Sequence, residues 1–420
     1  MHVVVIGSGL LGVSTAYWLR ELGAAVTVIE RAPGPGRETS FANGALLTPS
    51  MADPWNAPGV LWKLLGWLGR EDSPMLLRPS ALPGLARWGL RFLRESSESR
   101  YRANTLANVR LSQYSLDALQ ALRRIDGMSF DHGEVGTLKL VRTAGSFDAA
   151  RAMADWLGEH GVSSRALARE ATIELEPALR PIGSELVGSI YFPADQHGDA
   201  FRYCEALAAV AAERGVTFRY GTTVTTLETS GTRVASVQTE SGSIPADSVV
   251  VATGSHSARL LAPTGIRLPV APVKGYSISV HMPAGLAGPR IPILDEELHA
   301  VAVPLGRTLR IAGTAEFAGH DLTLSAGRIE NLVRLLSRTY PEIAARVPRE
   351  DIAPWTGLRP MSADGVPIVS RAPIENLYLN TGHGHLGWTM AAGSGRALSD
   401  LVMGRPPAID MAPYSLDRFN

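Results

Sequence analysis

Arg359 follows Trp355-Thr356-Gly357-Leu358. Its guanidinium is a planar fork that matches a carboxylate bidentately, which makes it the first candidate for holding an acidic substrate. A structural salt bridge is the competing role. Tyr276 could give such a carboxylate a second hydrogen bond, or sit as a strand tyrosine in a domain core. His383 and His385 alternate with glycines in Gly382-His383-Gly384-His385-Leu386-Gly387. The His-x-His pairing suggests a metal, but no third ligand is evident nearby. A helix N-terminus, expected just after it, disfavours a cation, so no metal is expected. His383 is expected beside a cofactor and His385 in the wall of a pocket; either could instead satisfy loop backbone. Lys274 could lie near the same site or simply end a strand.

Other chemistries find no support. Gly393-Ser394-Gly395 lacks the G-x-S-x-G nucleophile elbow, and no G-x-x-x-x-G-K-[ST] phosphate loop occurs. Cys204 is the one cysteine. It excludes an intramolecular disulfide and a thiolate metal cluster within one chain, fits a reducing compartment, and reads as a buried small hydrophobe. The 40 basic and 40 acidic residues balance, which argues against a nucleic-acid partner. With 420 residues, 45% of them hydrophobic, the chain can build two or three domains.

The elements that must position these groups begin at the N-terminus. Val3-Val4-Val5-Ile6 is a β-branched run suited to a strand buried on both faces. Gly7-Ser8-Gly9-Leu10-Leu11-Gly12 follows, and then a helical pattern through Leu22 that Gly23 is placed to end. Gly7 permits the tight turn, Gly9 lets backbone approach a pyrophosphate, and Gly12 lets helix pack on strand. The N–H groups at Leu10 and Leu11 open the helix toward an anion. A second strand, Ala25 to Ile29, ends in Glu30, where a carboxylate binds a ribose hydroxyl. Strand, glycine turn, helix and acid agree in order, and they imply an adenine dinucleotide without a 2′-phosphate: NAD or FAD.

Two further segments bear on that choice. Arg31 to Gly44 is loop chemistry rather than a third strand. Arg31, Ser40, Asn43, Gly44 and nearby N–H groups could serve a second phosphate or a ribityl chain, or Asn43-Gly44 could be a solvated turn. Val216 to Thr226, which contains Val224, and Thr232 to Thr239 read as strands, as does Pro245 to Val251. The last runs into Ala252-Thr253-Gly254. Near the C-terminus, Asn376 to Ala391 again reads as strand, glycine-rich turn and helix, with Gly382, Gly384, His385, Leu386 and Gly387 at the turn. A second helix N-terminus aimed at a ligand suits a flavin, whose N1–C2=O edge gains negative charge on reduction.

These segments together resemble the D-amino acid oxidase superfamily, and more narrowly the small-subunit family of bacterial D-amino acid dehydrogenases. The resemblance rests on Glu38-Thr39-Ser40-Phe41-Ala42-Asn43, Pro54-Trp55-Asn56-Ala57-Pro58-Gly59, Pro272-Val273-Lys274-Gly275-Tyr276-Ser277 and the C-terminal block, and spans Val3 to about Leu401. The chain departs from the family pattern in Gly44-Ala45 for Ala-Gly, in His385 for a small hydroxyl residue, and in Ala392 for a frequent cysteine. Those changes bear on substrate more than on fold.

The resemblance implies an α/β fold: a Rossmann-like FAD-binding domain of glutathione-reductase type (1–50, 196–262 and 350–420). An α+β substrate domain on an antiparallel sheet (51–195 and 263–349) is inserted into it. Helices are expected over Val60 to Leu68, Leu85 to Arg94, Tyr101 to Ile125 and Phe201 to Arg214. Strands are expected at Val135 to Val141, Leu186 to Phe192 and Tyr276 to His281, with a hairpin turning at Leu305-Gly306-Arg307. The resemblance further implies FAD-dependent oxidative deamination of D-amino acids by hydride transfer to flavin N5, and the scarcity of acids near the C-terminal motif favours small or apolar substrates over cationic ones. The products are 2-oxo acids and ammonia, and electrons pass to a quinone or another acceptor. It gives Arg359 the carboxylate-binding role. An oxygen-using oxidase of glycine, sarcosine or a cyclic D-imino acid is the alternative. A non-catalytic flavoprotein subunit and an NAD enzyme are the alternatives of other classes. Residues 55–94 carry four of the eight tryptophans, with basic residues among them. That composition favours a membrane interface, and packing of both helices onto the substrate domain competes with it. A cytoplasmic protein, in peripheral contact with the inner membrane through 55–94, is the matching location.

Overall fold

The computed structural model describes residues 1–67, 71, 73, 75–297 and 300–419. His2–Ile6 forms the expected strand, with Val3, Val4 and Val5 fully buried. It pairs in parallel with Ala25–Ile29 on one side and Ser248–Val251 on the other. Leu10–Glu21 is the helix between the first two strands, and Gly23, at φ +89°, lets the chain reverse after it. Thr217–Arg219 and Leu377–Thr381 extend the sheet in parallel, and Ile368–Arg371 closes one edge antiparallel. The continuous strand expected from Val216 to Thr226 is instead two strands in two sheets. Gly221 (φ +63°) breaks it, and Val224–Ser230 opens a separate three-stranded meander with Arg233–Thr239 and Gly242–Pro245.

The second sheet has nine strands among the described residues. It is antiparallel except where Ile293–Asp295 meets Thr137–Val141 and where Thr308–Phe317 meets Met75–Leu77. Ile352–Ser362 pairs along its length with Val270–His281 in this sheet. Residues 352–362 thus sit with the second sheet rather than with the dinucleotide half, because their long alternating register is satisfied only there.

Alternation divides this sheet into two faces. Tyr276, Ile278 and Ile311 pack with Leu332, Leu335 and Leu336 of the helix Ala326–Thr339. The opposite face meets the dinucleotide half: the Ser277 hydroxyl donates to the Ala42 carbonyl at 2.6 Å, and Arg310 Nη1 donates to the Asn43 carbonyl at 3.3 Å. A ligand cleft between the halves is therefore floored by alternate residues of the second sheet.

Val60–Trp67 and Leu82–Arg94 are both helical; Leu68, expected to close the first, lies outside the described residues. Trp88 and Phe92 bury against Phe317 and Met361, and Trp88 Nε1 donates to the Met361 carbonyl at 2.9 Å. Trp62 remains 75% exposed and Leu90 73%. No described helix is long and apolar enough to cross a membrane.

Candidate active site

The glycine turn is built as its spacing requires. Gly7 has φ +99°, and a Cβ there would come within 2.7 Å of the Ala252 carbonyl oxygen. A Cβ on Gly12 would overlap the Gly7 carbonyl. The helix N-cap is Gly9, which offers no side chain, and the first turn holds no acid. Ser40 Oγ accepts from Leu10 N at 3.2 Å. Glu30 accepts from Ser8 N (2.8 Å), Ser8 Oγ (2.9 Å) and Ala32 N (2.9 Å), so its carboxylate is fixed at the rim.

At the far end, Leu377–Thr381 runs into Gly382 (φ +80°) and Gly384 (φ +58°). The helix Gly387–Val402 then starts with no side-chain cap and no acid in its first turn. Two helix N-termini with unneutralised N–H groups thus face one cavity of about 840 Å³, lined by Gly9, Leu10 and Leu11 at one and His385, Leu386 and Gly387 at the other.

The same cavity reaches Arg359. Gly357 and Gly275 are direct cross-strand partners. A Cβ on Gly275 would overlap the Arg359 guanidinium, and one on Gly357 would overlap the Trp355 ring. Gly275 thus leaves the space that the guanidinium fills, and Gly357 the space that the Trp355 ring fills. Arg359 Nη1 donates to the Thr314 carbonyl at 3.1 Å. Thr314 sits at a register shift in Thr308–Phe317 with φ +59°, a left-handed conformation that a β-branched residue adopts only under strain. That bulge aims the carbonyl at the arginine. Trp55 lies 5.6 Å from the guanidinium carbon, and no carboxylate pairs with Arg359 among the described residues. Burial without a counter-charge pulls its pKa down to about 10.

Residues 2–401 match the family of FAD-dependent oxidoreductases known as DAO. The chain belongs to that family. It is 43% identical over 420 residues to the D-amino acid dehydrogenase of Paramagnetospirillum magneticum, covering 100% of this chain and 99% of the relative. It is 42% identical over 419 residues to that of Cereibacter sphaeroides, covering 100% and 95%. Its fold is that of glycine oxidase from Geobacillus kaustophilus (TM-score 0.77, 24% identity, 99% and 97% coverage). It is also that of L-proline dehydrogenase from P. horikoshii (TM-score 0.78, 20% identity, 100% and 98% coverage).

The residues present fit FAD. Glu30 would hold the adenosine ribose, and the N-terminal turn of Leu10–Glu21, where Ser40 Oγ accepts from Leu10 N, the pyrophosphate. Gly44, Val224, Ala252, Thr253 and Gly254 line the same cavity, as do Gly384 to Gly387. Some expected contacts go elsewhere. Arg31 donates to Glu38 at 2.5 Å and bonds His256 Nε2 at 2.8 Å, closing the rim. The Asn43 side chain accepts from Ala45 N at 2.9 Å, so it makes the turn that presents its neighbours' backbone. Gly382 shapes the strand end without lining the cavity. His383 lies in the cavity wall, with Nε2 2.9 Å from the Ser394 hydroxyl. Burial lowers its pKa to about 3, so it is neutral and pins the turn to the helix.

Tyr276 is among the residues lining the cavity that holds Arg359, but no hydrogen bond joins the two among the described residues. It occupies the helix-packed face, and its hydroxyl donates to Glu316 Oε2 at 2.5 Å. Glu316 also pairs with Arg78 at 2.7 Å. Lys274 shares that face, with Nζ 2.9 Å from Asp321, which resolves its two readings in favour of structure. Tyr276→Phe is therefore expected to keep kcat/KM within about threefold while lowering stability by about 1–3 kcal/mol, the cost of a lost bond to a buried carboxylate. A thermal melt beside steady-state kinetics checks it; a collapse of kcat/KM would return Tyr276 to the substrate.

His385 stacks on Trp55 at 5.3 Å with an 18° interplanar angle, and Nε2 donates to the Met51 carbonyl at 3.1 Å. Asp53, also lining the cavity, accepts from the Tyr101 hydroxyl at 3.4 Å. Trp55, Asp53 and Thr314 carried no separable chemical signal in the sequence. Only the facing glycines Gly275 and Gly357 hinted that something must lie across them.

Proposed function

We propose that this chain oxidises D-amino acids, with small or apolar side chains preferred, to imino acids that hydrolyse to 2-oxo acids and ammonia. The observation that carries the proposal is Arg359: a half-buried guanidinium with no carboxylate partner among the described residues, in a cavity continuous with the FAD cradle. An arginine held in that way is stabilised by an anionic ligand. The names of the relatives at 42–43% identity supply the D configuration.

Bound FAD supplies the two-electron oxidant. Arg359 binds the substrate carboxylate through its fork, and the space over Gly275 and the Thr314 carbonyl position that fork. Trp55 and Trp355 wall the site and exclude water. The N-terminus of the helix Gly387–Val402, with no side-chain cap and no acid in its first turn, favours negative charge in the same cavity. The proposed division keeps domain limits near 50, 196, 263 and 350, with 352–362 assigned to the substrate half because they pair with Val270–His281. A quinone or similar carrier is the proposed acceptor, and the exposed Leu61, Trp62 and Leu90 are the proposed contact with a membrane surface.

The test is an anaerobic visible spectrum of the FAD-loaded protein while D- and L-amino acids are added singly. D-Alanine and D-leucine are expected to bleach the flavin and their L-enantiomers to leave it yellow. A flavin that no amino acid bleaches would sink the proposal. Rapid peroxide formation on admitting air would favour the oxidase alternative over the dehydrogenase.

A further inference from the structure

The bond from His385 Nε2 to the Met51 carbonyl decides the tautomer of the ring. A carbonyl only accepts, so the proton is on Nε2 and Nδ1 keeps a bare lone pair. No described residue donates to Nδ1, and the ring lines the cavity that contains Arg359. Trp55 stacked on one face keeps the ring from turning. The short helix Pro49–Met51 that carries the carbonyl is itself anchored. Ser50 Oγ and Thr137 Oγ1 donate to the buried Asp195 carboxylate at 2.5 and 2.6 Å. The imidazole is thus held as a base of fixed orientation.

We propose that Nδ1 of His385 takes the proton that a substrate ammonium must lose before its Cα can be oxidised. The assignment rests on the D-amino acid reading above. An N–H bond of the ammonium breaks, its electron pair stays on nitrogen, and the proton passes to Nδ1. The nitrogen pair then forms the C=N bond as the Cα–H bond leaves with both electrons, which bound FAD accepts. The groups around the ring suit a base that must charge only after substrate arrives. Burial and the Arg359 cation on the neighbouring strand oppose an imidazolium in the empty site, and Asp53 on the adjoining loop favours one. A substrate carboxylate on Arg359 cancels part of the opposition, which leaves Asp53 to stabilise the transferred proton.

The experiment is single-turnover anaerobic reduction of the FAD holoenzyme by D-alanine, across about pH 6 to about pH 10, in wild type, His385→Asn and Asp53→Asn. Wild type is expected to hold its rate through neutral pH. In His385→Asn only substrate already deprotonated in solution reacts, so the rate should fall about tenfold for each pH unit below the ionisation of the amine itself. Benzoate binding, read from the flavin spectrum, should be unchanged in that variant because it reports the Arg359 end. Asp53→Asn should move the wild-type acid limb to lower pH, since the imidazolium loses its counter-charge. Coincident profiles for wild type and His385→Asn would overturn the assignment while leaving the D-amino acid reading intact. If His385→Asn fails to hold FAD, an acid limb unmoved in Asp53→Asn overturns it instead. A wild-type flavin that no D-amino acid bleaches removes the substrate reading, and this assignment with it.

Discussion

Arg359→Met is expected to lower kcat/KM for D-amino acids by about 100- to 1,000-fold, or about 2.7–4 kcal/mol, with FAD content unchanged. Most of the loss should appear in KM, since the carboxylate is held in both ground and transition states. Arg359→Lys should recover only part of it, because an ammonium reaches the same place without the planar fork. Arg359→Met should also unfold at or above the wild-type temperature. Wild type carries a half-buried guanidinium whose one bond among the described residues is to the Thr314 carbonyl, so a methionine of similar volume removes a charge that burial disfavours and no counter-charge offsets. Loss of activity beside unchanged or raised Tm is the signature of a group maintained for binding rather than for folding. Steady-state kinetics with D-alanine and a calorimetric melt decide the matter. Unchanged kcat/KM would show that the carboxylate binds elsewhere, and a fall in Tm of many degrees would show an internal partner.

Gly12→Ala should yield a protein that is largely colourless as purified. The added methyl would overlap the Gly7 carbonyl, which is backbone and cannot swing aside. Gly7 is itself tied to the sheet, its N donating to the Ile29 carbonyl at 2.8 Å. The helix Leu10–Glu21 must therefore lift from the turn, at a cost of about 1–3 kcal/mol for overpacking, and the N–H groups at Leu10 and Leu11 leave the position at which they meet a pyrophosphate. We expect FAD occupancy to drop at least about tenfold, since the loss falls directly on cofactor binding. The ratio of visible flavin absorbance to protein absorbance reports it after dialysis and reloading. Full occupancy in the variant would mean that the first helix does not contact the cofactor. The substitution is distinguishable from general unfolding, because the second sheet and its helix Ala326–Thr339 form a separate core that should retain its melt.

What could be read from the sequence were the features set by neighbours within about ten residues. The parallel strand His2–Ile6, its glycine turn, its helix and Glu30 form one local unit, and each step is dictated by β-branching, by φ > 0 at Gly7 or by helical spacing. Family resemblance carried that unit to FAD, and a family match over residues 2–401 agrees. Arg359 was singled out by its guanidinium fork and by the family resemblance, and it lines the cavity with no carboxylate partner among the described residues.

The faces of the second sheet were not legible. Tyr276 and Gly275 are adjacent in sequence, yet one backs the helix Ala326–Thr339 and the other lies under the Arg359 guanidinium. Strand alternation says that they must point apart but does not say which points toward the cavity. That choice is made by the helix that buries Tyr276 and by the contacts of Ser277 and Arg310 with the loop at Ala42 and Asn43, about 235 and 267 positions away. The same holds for Thr314, whose strained turn exists only because a bulge must be absorbed opposite Gly275, and for His385, whose tautomer depends on a carbonyl 334 residues distant. The sequence by itself determined the cofactor cradle, since a backbone turn and a helix end bind phosphate through groups that every residue carries. Only the tertiary structure decided which side chains meet the substrate, since that depends on which face of a sheet the rest of the chain leaves open.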